Sequence, residues 1–573
     1  MNHYKYYIMP LCSMALLFAS CDLTMEPEDK MSPESYFKTA AQLELWTQGS
    51  YDLLDGESIA TSNADDIIDN SLGDVMMGQR DAASSGGWGW GDLRRLNYYF
   101  EHKQCSEDVS AQYDAEAYFF RAYFYWLKVR RFGDVPYYDK VLNDNDTELL
   151  CRKRDDRGYV MDRMLADLDE AYRLGNKKKD LVKVTKWTAL ALKSRVALYE
   201  GTWRKYRGLP DAEKYLKAAA EAAEEFIDKS GYSIQKTGTE PYRELFNALD
   251  ANTTEVILAH KYGKASDVMH GIPFSIKNER ISFTKRFMNH YLQADGSFYS
   301  SRPGYATEFY TDEVAGRDPR LAQTVLCPGY IQTGATKVTA NDLTAFTGYQ
   351  PIKYVNKSDY DGSRKAFTDI PIFRAAEVYL NFAEAKAELG TLTQADLDKS
   401  VNKIRDRVSM SHLSMTDANA HIDPLMAEYY PNVTQSANTG VILEIRRERT
   451  VELAMEGFRI WDIFRWKEGM QLTKPFYGIY FPAEGEYDMD GDGKNDLLVS
   501  SSKKPSGWKG SFKQIGKDIE LTNGSSGMIH ALPKITVTWD ENRDYLWPIP
   551  AQQRILTNGA LSQNPGWTDS TNF

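Results

Sequence analysis

"AEAYFFRAYFYWLKVRRFGDVPYY", residues 115–138, decides how this 573-residue chain folds. Ala115, Phe119, Ala122, Trp126 and Val129 recur on one helical stripe, and Tyr118, Phe120, Tyr123, Phe124 and Tyr125 cover the rest of the circumference. A helix that is apolar nearly all round belongs inside a core. It should stop at "RRFGDVP", where Gly133 suits the C-cap and Pro136 cannot continue the helix.

Outward from this helix the same periodicity recurs in pairs. Trp187, Leu190, Ala191, Ser194 and Leu198 line one face; after the "GLPD" turn, Ala212, Tyr215, Leu216, Ala219, Ala223 and Phe226 line another. Small residues on such stripes let two helices approach closely. Later, Phe373, Ala376, Leu380, Ala383 and Ala387 form a third stripe closed by Gly390, and Thr393 with Asp396 makes a capping-box start for the next helix. Hairpins of this length suggest tetratricopeptide-like helical repeats, with generic hairpins that do not stack as the alternative. Residues 233–370 and 470–550 are rich in Gly, Pro, Ser, Thr and Asn with short apolar runs such as "EVILAH", which predicts long loops and a few small strands. Loops on a rigid scaffold are where binding usually resides.

Composition narrows the function. A formal net charge of -12 argues against a nucleic-acid partner, which selects for clustered Lys and Arg. Of the five cysteines, the three beyond residue 21, Cys105, Cys151 and Cys327, are scattered and make neither a disulfide framework nor a zinc pattern. Aromatic residues reach 13% of the chain, enough for both a core and a stacking surface. The sequences "H-E-x-x-H", "G-x-S-x-G" and "G-x-x-x-x-G-K-[ST]" are absent, so the common hydrolase and phosphate-binding templates find no match.

The N-terminus reads as a secretory leader over residues 1–20: Lys5 is a weak basic start and Ile8 to Phe18 an apolar stretch too short to span a bilayer. "LLFASC" (16–21) resembles a bacterial lipobox, in which Cys21 would be lipidated and become the new N-terminus; an ordinary signal peptide with a chance cysteine is the alternative. Asp22, Glu26, Glu28 and Asp29 then resemble the acidic signal that sends lipoproteins to the outer face of a Gram-negative cell.

Two stretches carry candidate sites. In "DMDGDGKND" (488–496), Asp488, Asp490 and Asp492 stand at positions one, three and five of a calcium-type loop, Gly493 at the tight turn, Lys494 where a backbone carbonyl would bind, and Asp496 at nine. Val499 occupies position twelve, so this is no EF-hand; it is either a structural Ca2+ loop or an acidic turn without metal. In "SSGGWGWGDLRRLN" (84–97), glycines beside Trp88 and Trp90 would keep the rings from being packed over, and upstream Asp65, Asp66 and Asn70 supply groups for hydroxyls. Apolar rings beside short polar groups suit a sugar, though burial of either Trp in the core is equally open.

"IPIFRAAEVYLNFAEAKAELG" (370–390), "VNKIRDRV" (401–408), "ILEIRRERTVELAMEGFRIWDIFRW" (442–466) and "LWPIPAQQRILTNGALSQNPGW" (546–567) resemble successive signatures of the SusD/RagB family, with the 115–138 block and "RDPRL" (317–321) in agreement. The resemblance covers nearly the whole mature chain. It implies a mostly α, SusD-like scaffold, without catalysis, anchored at the outer membrane and delivering oligosaccharides, or in some relatives peptides, to a partner TonB-dependent transporter of the SusC type. An N-terminal helical region at 21–235 and a C-terminal region with loop excursions at 236–573, joined as one compact unit, are the divisions expected. An acid/base reading of the 442–466 carboxylates, as in an all-helical glycosidase, loses to a structural one: Arg449 with Glu452 and Glu456 with Arg459 sit at helical ion-pair spacing, and Glu377, Asn381, Glu384 and Glu388 stripe a helix that would meet such arginines.

Overall fold

The computed structural model describes residues 36–54, 64–70 and 72–569. The expected leader, Cys21 and the acidic residues after it lie outside these described residues. The helices that position the sites are α1 (Gly91–His102), α2 (Glu107–Phe132), α3 (Arg157–Leu174), α4 (Lys186–Lys205), α5 (Ala212–Lys229), α6 (Ala375–Leu389), α7 (Thr439–Glu452) and α8 (Arg459–Arg465). The protein is mostly helical, and among the described residues its strands form only small sheets of two or three strands.

The helices form where local rules place them. Gly133 caps α2 at φ 72°, and Gly390 caps α6 in the left-handed region. Thr393 and Asp396 close the expected capping box. From α2 to α7 the helices pack against one another in chain order, each against the next, which is the stacking the repeat reading expected. The α4–α5 hairpin packs closely for a steric reason: a Cβ on Gly201 would stand 2.7 Å from Leu216 Cγ and 2.9 Å from Leu216 N.

Between α5 and α6 the chain leaves the stack. "EVILAH" becomes the strand Val256–His260, which pairs antiparallel with Ile370–Arg374, and Arg374 is itself the N-cap residue of α6. The excursion therefore returns to the scaffold where it left. It carries much of a second hydrophobic core (Tyr242, Phe283, Phe287, Tyr349), completed by Val451 of α7 and by Ile479, Phe481 and Leu497; the helical core draws on residues from Phe37 to Leu561. Both cores cross the 235/236 division read from the sequence.

α7 is buried along its whole length although it carries six charged side chains. The helical pairs expected from spacing are replaced by tertiary ones. Glu452 accepts from Arg374 at 2.7 Å and Arg407 at 2.6 Å; Glu456 pairs with Arg374 and Lys353, each at 2.7 Å; Arg449 reaches Asp462 at 2.7 Å. A surface helix pairs along its own face, but a helix enclosed on every side must find counter-charges on its neighbours, because an unpaired buried charge is prohibitive. The α6 stripe does meet basic residues, from several elements: Glu377 meets Arg195, Asn381 meets Arg449, Glu384 meets Arg465, and Glu388 meets Lys205.

Candidate functional site

A cavity of about 270 Å³ opens where six separate segments of the chain meet. The 64–70 segment is fixed first: strand Ile67–Ile68 pairs with Ser282–Phe283, and the Thr284 hydroxyl donates to Asp65 O at 2.7 Å while its oxygen caps the short helix Lys285–Met288. Asp65 then receives a bidentate pair from Arg459 of α8, at 2.6 and 2.7 Å, and an ion pair from Arg286 at 2.9 Å. Held by Asp65, Arg286 donates to Tyr429 O at 3.1 Å and Gln471 Oε1 at 2.8 Å, and its guanidinium lies 4.0 Å over the Tyr429 ring.

Tyr305 and Tyr477, partly exposed, and Phe476, buried, complete the aromatic lining, with the exposed Lys474 at the rim. Asn289, 7% exposed, spends its Nδ2 on the Tyr429 hydroxyl at 2.9 Å, and its Oδ1 has no hydrogen-bond partner among the described residues. A buried acceptor without a donor is rare because it forfeits its hydration for nothing. Burial raises the Tyr429 phenol to about 12, so it remains a neutral hydrogen-bonding group. Rings beside unspent polar groups can take a ligand with apolar faces and hydroxyls.

Asp65 and Asp66 are both buried, and their surroundings divide them. For Asp65 burial opposes ionisation, but the guanidinium groups of Arg459 and Arg286 outweigh it and hold the carboxyl below its usual range. Asp66 is pushed up, by burial and then by the negative charge of Asp65. Asp65 lines the cavity as the support of Arg286; Asp66 and Asn70 are not in the lining, Asn70 being exposed with its N–H donated to Glu279 O at 3.1 Å.

Trp88 and Trp90 belong to a different cavity, of about 330 Å³, which shares no lining residue with the first. The glycines do not leave the rings free. Lys128 of α2 donates to Gly87 O and Gly89 O at 2.6 Å each, drawing the turn onto the aromatic helix. Trp88 packs edge-on against Phe132 at 4.9 Å and is buried, and Trp90 stands 5.6 Å from both Phe124 and Tyr138 and keeps part of its surface exposed.

In the 488–496 loop the carboxylates of Asp488, Asp490 and Asp496 approach within 4.8 Å of one another. Asp496 Oδ2 is buried without a partner among the described residues, and burial, with Asp490 and Asp488 adding, raises its carboxyl to about 6. These three fit a hard cation. Asp492 does not join them: its carboxylate accepts from Lys494 Nζ at 3.1 Å, a contact made within the loop itself.

Sequence reasoning missed Arg286, Asn289, Tyr305, Tyr429 and Tyr477. It pointed to the loop-rich 233–370 and 470–550 stretches, but no spacing links residues drawn from separate segments.

Comparisons with known proteins agree with this architecture. A sequence profile described as the SusD family matches residues 254–567, and one described as "starch-binding associating with outer membrane" matches residues 93–198. The chain is 25% identical to SusD-like protein P2 of Formosa agariphila over 606 aligned positions, covering 98% of this chain and all of that one. It is 24% identical to SusD-like protein P38 of the same organism, over 80% of this chain and 91% of the other. Among solved structures, a SusD-like protein of Bacteroides fragilis superposes with a TM-score of 0.66 at 21% identity, over 93% of this chain and 98% of that one. A SusD-like carbohydrate-binding protein of the same species also gives 0.66, at 19% identity over 91% and 98%. With a profile spanning more than half of its length, this chain belongs to the SusD/RagB family.

Proposed function

We propose that this protein captures oligosaccharides at the outer face of an outer membrane and hands them to a partner TonB-dependent transporter of the SusC type, without chemically altering them. The observation that carries the reading is Asn289: a buried amide with an unspent oxygen, set beside Tyr429, Tyr305 and Tyr477 in one cavity. Sugar rings place C–H faces on aromatic rings and hydroxyls on such acceptors. The carbohydrate-binding description of a structural relative and the outer-membrane wording of the 93–198 profile support the ligand class and the location. The conspicuous carboxylates of α7 and its surroundings are spent on arginines, which supports binding without hydrolysis.

In this reading Cys21 carries the lipid that tethers the chain. Calcium is a structural ion at the 488–496 loop, held by Asp488, Asp490 and Asp496 with the Lys494 carbonyl as a further donor, and it relieves the crowding of their charges. The test is a glycan array followed by calorimetry on the mature chain, with a peptide library in parallel and product analysis of each bound glycan. Binding of at least one oligosaccharide, weakened by Tyr429→Ala and with no product released, is expected. Retention of peptides alone would replace the ligand class, and released product would replace the mechanism.

A further inference from the structure

We propose that the cavity at Trp90 is a second carbohydrate site, one that takes a single sugar residue independently of the first; this rests on the oligosaccharide reading above. Its geometry repeats the first in different chemistry. Asn97 of α1, only 1% exposed, uses its Nδ2 to hold Tyr138 O and Lys140 O, each at 3.1 Å, and so fixes the 138–140 segment as a wall. Its Oδ1 has no hydrogen-bond partner among the described residues.

Trp90 and Tyr138 stand nearly edge-to-face, 5.6 Å apart at 76°, and offer two aromatic surfaces at a steep angle. Leu142 and Leu150 add apolar wall, and Lys140 and Gln553 bring polar groups to the same lining. A wholly apolar occupant would leave the Asn97 oxygen dry, and a freely hydrated one would gain nothing from the rings. A pyranose meets both demands, with a C–H face for an aromatic ring and an O–H for the amide oxygen. The volume of about 330 Å³ lies at the small end of ligand clefts and has room for about one sugar residue; the first cavity, of about 270 Å³, likewise encloses only one residue of a longer glycan. The C-terminal segment contributes Gln553, Thr557 and Leu561 to the lining, so the site is built from early and late parts of the chain.

The probes are methyl glycosides of glucose, galactose, mannose, xylose, fucose and glucuronic acid, read by saturation-transfer NMR and tryptophan fluorescence on the mature chain. In Tyr429→Ala, which weakens the first cavity, at least one glycoside should bind as well as it does to the wild type. Leu150→Trp fills the second cavity from an exposed position and should weaken that binding at least tenfold while leaving oligosaccharide binding at the first cavity unchanged. Gln553→Trp serves the same purpose from another wall. If the wild type binds oligosaccharide but Tyr429→Ala retains no glycoside, or if both filling variants leave the retained signal intact, this inference falls and the function above stands. If the wild type binds no glycan at all, both fall. Capture of an aromatic peptide in place of every glycoside would also overturn it.

Discussion

The two cavities solve one problem in opposite ways. Each sets a buried asparagine with an unspent amide oxygen beside aromatic rings, Asn289 with Tyr429 and Asn97 with Trp90 and Tyr138. The walls of the first are held by charge: Asp65 binds Arg459 from 394 residues away and Arg286 from the excursion, and Arg286 in turn holds Tyr429. The walls of the second are held by packing and backbone contacts around the α1–α2 region, with the Lys128 ammonium closing the glycine turn. The first should therefore be more sensitive to removal of a charge, and the second to removal of volume.

The sharpest test of that contrast is Asp65→Asn. It keeps the shape and leaves two buried guanidinium groups without their shared carboxylate, a loss of about 3–5 kcal/mol. Thermal melting should show a large drop, and oligosaccharide binding at the first cavity should disappear, while glycoside binding near Trp90 survives in the folded fraction. Unchanged melting would break the claim that charge holds those walls.

Tyr429→Ala is expected to cost less. Losing one ring and the hydroxyl held by Asn289 should weaken oligosaccharide binding by roughly tenfold or more, about 1.4 kcal/mol in calorimetry.

Acid offers a graded version of the same comparison. Glu384 and Glu452 are both held at about 2: burial opposes this, but the arginines paired with them prevail, and Asp65 is held down in the same way. A carboxyl whose folded value lies below its unfolded one takes up protons on unfolding. Its stabilisation is complete above about pH 4.5 and is lost as pH falls toward about 2. Asp66 has the opposite sign, being raised in the fold, so it lowers stability as pH rises past the ordinary carboxylate range. Melting curves of Asp66→Asn should therefore exceed wild type at pH 8 and converge with it at pH 4.

The smallest effect belongs to the 488–496 loop, which lines neither cavity. Added Ca2+ should raise the melting temperature by a few degrees at pH 7.5 and less at pH 5, because Asp496 at about 6 must lose its proton to bind. Asp496→Asn should abolish the increment in calorimetry, with glycan binding unaffected.

Where the chain is read from its neighbours, sequence reasoning went far. The buried aromatic helix, its Gly133 cap, the capping box at Thr393 and the close α4–α5 pair all follow from interactions within a few residues, and "SSGGWGWGDLRRLN" already contained Trp88, Trp90 and Asn97. The same reading left open whether the two rings were buried or exposed, and the aromatic face of α2, in another element, divides them: Trp88 is buried and Trp90 keeps part of its surface exposed. It also placed Asp65 and the tryptophans together, and the fold separates them.

Helical periodicity, caps and turns are local, so the sequence alone determined a stacked helical scaffold interrupted by long loops. Only the tertiary structure decided which arginine meets which carboxylate and which tyrosines share a cavity. A buried charge is satisfied by whatever the fold brings within about 3 Å, and Arg459 finds Asp65 across nearly four hundred residues that no spacing rule connects.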